Sequence, residues 1–376
     1  MRICISTDYH LSYKQYGLDE REKDFNIRFK KMIDMIINEK PDIFLTLGDI
    51  FNTPYPKPIN MKIYADGINK LKMNNIKCYG IIGNHTNIQR KDYYQIDNLF
   101  NAVQLIGGDY VAFDDVYICG VNYHSKSYNI KPEIDRLYDM GKEYRVKIIL
   151  LHQALKADQF IGYDYDEKKL GLDRFDYVFL GHLHKRIVRY DEKTDTVYHY
   201  PGSLNSCNVV ELADEMLYGR GYTVFDTDSL VLEMKSVESV RKFFEYNVKD
   251  DDLNDVFVGE VIEFLSGFEL KPIVMLNVVG NDGKRIYDVC EKLKDYTLFV
   301  KYKLVPPNIK VAPLSSDERI TFNGDLVFEL MKRHFDEDWK SSFCYDLYEL
   351  LGGGDVAGAK SLADFVFSER WGNMKK

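Results

Sequence analysis

The stretch YVFLGHLHKR, residues 177 to 186, decides how the rest of the chain is read. Tyr177, Val178, Phe179 and Leu180 make the short apolar run of a buried strand, and Gly181 lets the backbone bend as it leaves the sheet. If the extended geometry continues, His182 and His184 stand about 6 to 7 Å apart and point to the same side. Two imidazoles so placed serve one metal, two neighbouring metals, or none.

The same arrangement recurs upstream. Asp8 and His10 follow the strand-like ICIS, Gly48 and Asp49 follow DIFLTL, and Gly83, Asn84 and His85 follow CYGII. His152 closes KIILL. In a parallel α/β sheet the strand ends lie along one edge, which is where such folds bind ligands. Five of the eight histidines fall at these ends, which argues against scattered loop residues.

Asp8, His10, Asp49, Asn84, His152, His182 and His184 are too many donors for one ion and suit two if a carboxylate is shared. Asp49, a hard oxygen donor between the other two groups, is the natural bridge. Imidazole mixed with oxygen fits a divalent transition metal such as manganese, iron or zinc better than calcium. Two such cations activate a water and clamp a phosphoryl group, so the implied chemistry is phosphoester hydrolysis. His85, beside a candidate ligand, is placed to protonate the leaving oxygen or stabilise charge there; otherwise it is only a hydrogen-bond partner.

At 376 residues the chain is long enough for two or three domains. Its N-terminus lacks a basic segment followed by a long apolar one, and its apolar runs are too short for a membrane span. The six cysteines are scattered without a CxxC pair, the pattern of reduced thiols in an intracellular protein (cytoplasm or nucleoid). A formal net charge of −9 counts against a nucleic-acid partner unless bases cluster locally.

Strands at ICIS, DIFLTL, CYGII, YICGV, KIILL and YVFL alternate with helical stretches, which predicts an α/β fold with central strands covered on both faces. A helix over 23–41 carries Phe25, Phe29, Met32, Ile33 and Ile36 on one side; others are expected over 58–75 and 93–101. A hairpin turning at 226–229 leads into a small α+β segment. The expected organisation is 1–235, 236–305, a Pro-bearing linker over 306–320 and helices over 321–376.

The ordered motifs D-x-H, G-D, G-N-H, H and G-H-x-H resemble the calcineurin-like metallophosphoesterase superfamily. That resemblance implies a β-sandwich flanked by helices. It implies one cation on Asp8, His10, Asp49 and His184, and another on Asp49, Asn84, His152 and His182. The flanks DYHLSYKQYGLDEREKDFNIRFKKMID, GDIFNTPYPKP, GHLHKR, YPGSLN and RGYTVFD are similar to the meiotic recombination eleven/SbcD double-strand-break repair nucleases, most of all the archaeal type.

This second likeness covers residues 1 to 230 and is only architectural beyond. It implies a DNA exo- and endonuclease with two Mn2+ that forms a homodimer and binds an SbcC-type coiled-coil ABC ATPase through its C-terminal helices, with a small capping domain at 236–305. The dimer face would offer Ile63, Ile68 and Leu71 with Tyr94, Leu99 and Phe100, or these pack on their own sheet. Candidate phosphate contacts are Arg90, Lys91, Lys126, Lys156, Lys185 and Arg186, the last two tethered beside a ligand. Thr86 replaces the acidic residue usual after G-N-H, and Asn52 stands where histidine or aspartate is common. These departures and the acidic charge keep open a phosphodiesterase or phosphatase for small substrates, and a mainly structural DNA-bridging scaffold.

Overall fold

The computed structural model describes residues 1–86, 103–158, 162–280 and 284–305, with 343, 344, 347, 360 and 362. The chain divides into two compact units, Met1–Gln153 with Glu167–Lys310, and Ala154–Asp166 with Val311–Lys376. In the first, β1 (Arg2–Ser6), α1 (Asp19–Glu39), β2 (Ile43–Thr46), α2 (Pro58–Met73) and β3 (Lys77–Gly80) alternate. They are followed by β4 (Gln104–Leu105), β5 (Tyr110–Phe113), β6 (Val116–Val121), α3 (Lys131–Gly141), β7 (Val146–His152) and β8 (Tyr177–Gly181). Next come β9 (Ile187–Asp191), β10 (Thr196–Tyr200), α4 (Val209–Tyr218), β11 (Gly221–Asp226) and β12 (Val231–Ser236).

These strands form two six-stranded sheets, ordered β12-β11-β1-β2-β3-β4 and β5-β6-β7-β8-β10-β9. This is the β-sandwich flanked by helices that the resemblance implies. Period-2 alternation explains the layering: Ile3, Ile5, Ile43 and Leu45 meet Ile118, Ile148, Leu150 and Phe179 between the sheets. Cys4, Phe44 and Cys78, one residue out of phase, face outward under Phe29, Met32, Ile33 and Ile36 of α1 and Ile68 and Leu71 of α2. Strands buried on both faces read as continuous apolar runs, as the sequence shows.

The same helical packing corrects the dimer-face reading of α2. Ile63, Ile68 and Leu71 are buried in this core, so they cover their own sheet. The companion residues Tyr94, Leu99 and Phe100, and the helix expected over 93–101, lie outside the described residues.

A third, all-parallel sheet, β13 (Phe243–Lys249), β14 (Ile273–Val279) and β15 (Phe299–Val305), carries α5 (Asp255–Leu265) and α6 (Lys284–Leu293) as crossovers. The Asn254 side chain starts α5 by accepting from the Val256 and Phe257 amides. Val258, Val261, Ile286 and Val289 pack on Val274, Leu276 and Val278. This sheet shares its compact unit with the larger two. It is fastened by Arg241, whose guanidinium donates to both Asp24 oxygens at 2.9 and 3.2 Å, and by Phe299 stacked on Tyr16 at 4.0 Å.

In the second unit, the Ala154 amide donates to the Asp164 carboxylate at 2.8 Å. The expected linker over 306–320 and most of the C-terminal helices lie outside the described residues; 343, 344, 347, 360 and 362 are helical. No helix among the described residues is long and apolar enough to cross a membrane. Cys4, Cys78 and Cys119 are buried free thiols.

Candidate metal centre

The loops after β1, β2 and β3 of one sheet and the ends of β7 and β8 of the other meet at a single rim. Asp8, His10, Asp49 and His152 are almost wholly buried there. Backbone hydrogen bonds lock the loops together: the Asp8 amide donates to the Gly48 carbonyl and the His10 amide to the Asp49 carbonyl, both at 3.1 Å. Asp8, His10, Asp49 and His182 hold φ of 52°, 47°, 49° and 83°, a left-handed conformation unusual for non-glycine residues. Four such residues in one site mark a backbone bent to aim side chains, at a cost of order 1–3 kcal/mol each.

The side chains converge in two groups. His10 Nε2 and His184 Nε2 face each other at 3.0 Å, and both lie within 4.0 Å of Asp8 Oδ1. On the other side, His152 Nε2 and His182 Nδ1 each lie 3.0 Å from Asn84 Oδ1, and His152 Nε2 is 3.2 Å from Asp49 Oδ2. Asp49 stands between the groups, with donor atoms of His10 and His85 on one side and His152 and His182 on the other within 4.8 Å.

Each imidazole is oriented by what its other nitrogen touches. His152 Nδ1–H donates to the Leu47 carbonyl at 2.6 Å, leaving Nε2 to face the rim. His85 Nδ1–H donates to the Asn52 carbonyl at 3.0 Å, so Nε2 is the nitrogen left to hold or give a proton; it lies 3.9 Å from Asp49 Oδ2. The backbone of Asn52 therefore orients His85. Thr86, the residue that stands in place of the usual acidic one, is fully buried, its hydroxyl without a partner among the described residues.

Electrostatics favour a cation. Burial, reinforced by His85 and His184, holds His10 well below the usual histidine range, and burial together with His152 takes His182 down to about 3. Burial alone would raise Asp49, but His152 and His85 outweigh it and hold the carboxyl well below its ordinary value. His10 and His182, neutral with free lone pairs, and the ionised Asp49 are donors suited to a divalent transition metal. Against burial, Asp49 takes His152 up to about 9 and Glu211 raises His184, so these two carry protons that a cation would displace. His10 Nε2 and His184 Nε2 bear on the fit: with His184 Nδ1–H turned to Glu211, both Nε2 atoms face one space, where a cation can take a lone pair from each. The residues present fit such ions.

Three features escaped the sequence reading. Glu211, on α4, accepts from His184 Nδ1 at 3.0 Å. Cys207 brings its thiol within 4.8 Å of donor nitrogens of His10 and His184. Residues 203–205 brace two ligand loops: the Ser203 amide donates to the His184 carbonyl, the Leu204 amide to the Asp8 carbonyl, and Asn205 Nδ2 to the Tyr9 carbonyl at 3.2 Å. Asn208 followed three residues later by Glu211, ahead of an apolar run, was the available signal for α4.

Among the candidate phosphate contacts, Lys126, Lys156 and Lys185 are exposed, Lys156 lying 3.5 Å from Asp166. Arg186 is otherwise employed: its guanidinium donates to the Tyr218 and Lys235 carbonyls and to Ser236 Oγ, bracing α4 against β12. Both terminal nitrogens of Arg186 are thus engaged within the fold. Arg90 and Lys91 lie outside the described residues.

Comparisons with known proteins settle the ancestry. The calcineurin-like phosphoesterase family matches residues 1–186. The DNA double-strand break repair protein Mre11 of Methanocaldococcus jannaschii is 31% identical over 372 residues, covering 90% of this chain and 96% of that protein. The chain belongs to the Mre11 family. Another Mre11 relative, from Methanococcus maripaludis, is 27% identical over 93% of this chain and 95% of its own length. A solved dimetal phosphatase from Danio rerio matches with a TM-score of 0.41 and 10% identity, covering 59% of this chain and 91% of that one.

Proposed function

We propose that this Mre11-family chain is a two-metal DNA phosphodiesterase that processes DNA ends in double-strand-break repair, with Mn2+ as its working cation. The observation that carries the reading is the convergence of seven donors, with His85 beside them, at the meeting rim of two sheets. Asp8, His10, Asp49 and His184 hold one cation; Asp49, Asn84, His152 and His182 hold the other. When bound, such a pair lowers the pKa of a shared water and neutralises charge on a phosphodiester.

The chain's own residues supply the rest. Asp49 is kept ionised and is held in place by the His85 amide, which donates to its Oδ1 at 2.9 Å. His85, fixed by the Asn52 carbonyl and partly exposed, presents Nε2 to the leaving oxygen and delivers a proton there. Lys185, exposed beside His184, meets the phosphate backbone. Residues 236–305 act as a capping domain over the DNA. The chain works as a homodimer, with 321–376 docking on an SbcC-type coiled-coil ABC ATPase.

The net charge of −9 and the engagement of Arg186 favour, as a second reading, a phosphodiesterase for small substrates. One experiment separates them: Mn2+-dependent cleavage of linear and hairpin DNA, against bis(p-nitrophenyl) phosphate, by wild type and His85→Ala. The nuclease reading expects DNA cleavage that weakens with salt and falls about 10²–10⁴-fold in His85→Ala, with Mn2+ binding intact. Turnover of the small ester without DNA cleavage would replace the first reading with the second.

A further inference from the structure

Glu211 lies outside the set of cation donors, yet its carboxylate is among the most fully engaged side chains near the rim. Three donors converge on its two oxygens. His184 Nδ1 lies 3.0 Å and Asn208 Nδ2 2.6 Å from Oε1, while the Cys207 amide donates to Oε2 at 2.8 Å. The Glu211 amide in turn donates to Asn208 Oδ1 at 2.9 Å, so the residue occupies the third position of α4 in a reciprocal cap. Arg220 ties the same corner to the ligand loop, donating from NH1 to the His184 carbonyl at 2.6 Å and from NH2 to the Glu211 carbonyl at 3.2 Å.

We propose that Glu211 is a positioning residue for the cation held by Asp8, His10, Asp49 and His184, acting through the imidazole of His184. This rests on the two-metal reading above. Accepting from Nδ1–H fixes the ring in the tautomer whose Nε2 carries a free lone pair, and fixes the plane in which that lone pair points, toward His10 Nε2. A carboxylate in this place also makes the imidazole a stronger donor. The arrangement joins the start of α4 to one of the two cation sites and leaves the other, on Asn84, His152 and His182, untouched.

An amide cannot replace the carboxylate. Glutamine offers one acceptor oxygen where three donors converge, so either His184 or the Cys207 amide is left facing an NH2 group. The role is therefore separable from helix stability by pairing Glu211→Gln with Leu212→Ala, which loosens α4 at its buried apolar contact and leaves the Glu211 carboxylate and its three donors in place.

The test is calorimetric titration of Mn2+ into the metal-free full-length chain, with a thermal melt of each metal-free variant. Wild type is expected to take up two Mn2+. In Glu211→Gln one of the two binding events weakens by about 10–100-fold while the other is unchanged. Leu212→Ala lowers the melting temperature and leaves both affinities at the wild-type value. If Glu211→Gln shifts only the melt and both affinities hold, Glu211 is a helix cap and nothing more, and the proposal is overturned. Should Glu211→Gln not fold, Glu211→Asp keeps the charge on a side chain one methylene shorter. One weakened event supports the positioning role; two unchanged ones remove it. A wild-type chain that binds no Mn2+ would instead bring down the two-metal reading itself.

Discussion

His10 Nε2 and His184 Nε2 face each other at 3.0 Å, one from the loop after β1 and the other from the loop after β8. Those strands belong to different sheets, so the pair marks where the sheets meet. The folded chain alone brings these donors together, and a cation they bind must stabilise folded over unfolded protein. At a hundredfold excess over its dissociation constant, Mn2+ should add about 2.7 kcal/mol for each site it fills. Thermal melts with and without Mn2+ read this directly, and a chelator should reverse it. Asp49→Asn, which weakens the shared donor, should abolish most of the gain. A wild-type melt indifferent to Mn2+ would contradict the assignment of the rim.

Gly83 leaves no room for a side chain. A Cβ there would fall inside contact distance of Asp49 Oδ1 and 2.5 Å from the Asp49 amide. Asp49 is fully hemmed in, so Gly83→Ala must displace the carboxylate or the loop. We expect a stability loss of about 1–3 kcal/mol, the usual cost of overpacking. Mn2+ affinity should fall alongside it, because the displaced group is the shared donor. Urea unfolding and Mn2+ titration of the same preparation give both numbers. Unchanged affinity would mean that Asp49 does not bridge.

The positions of the donors were legible because each follows an apolar run ending in a turn. Asp8 after ICIS and His182 after YVFL announce themselves. Which sheet each strand joins was not legible, because β2 and β7 carry the same doubly buried pattern and differ only in their partners. The apolar stripe of α2 was ambiguous for a similar reason: Ile63, Ile68 and Leu71 would look the same facing their own sheet or a second copy. Backbone acceptors leave no trace in side-chain identity, so the Asn52 carbonyl that orients His85 could not be read from residue 52. The same holds for the carbonyls that occupy Arg186, which sequence shows only as a base beside a ligand.

Asp24 sits between two guanidinium groups in the seam that fastens the small sheet. Arg21 NH1 lies 2.6 Å from its Oδ2 and Arg241 grips both oxygens, with all three side chains almost fully buried. Removing the single anion strands two buried cations, which typically costs about 3–5 kcal/mol. Asp24→Ala should lose that much in denaturant unfolding. Arg241→Met should cost less, because Arg21 and Asp24 remain paired. If Asp24→Ala costs no more than a surface substitution, the seam is not held by this network.

His199 should make the fold acid-sensitive in a defined window. Its Nδ1–H donates to the Ile187 carbonyl at 2.9 Å, so Nε2 accepts from Thr223 Oγ1 at 2.7 Å and has no room for a proton. Burial takes the folded-state pKa from 6.5 down to about 4. Above pH 6.5 the ring is neutral in both states and contributes no pH dependence. As pH falls below 6.5 the unfolded chain binds a proton that the folded chain refuses, so stability is lost at up to about 1.4 kcal/mol per pH unit. The loss is complete near pH 4, where the folded state also protonates, and totals about 3 kcal/mol. His199→Asn keeps a donor for Ile187 and cannot titrate. Its stability, measured by urea unfolding at half-unit steps, should fall less steeply than wild type between pH 6.5 and 4, and in parallel with it above 6.5. Parallel curves across the whole range would show that His199 takes up its proton as readily folded as unfolded.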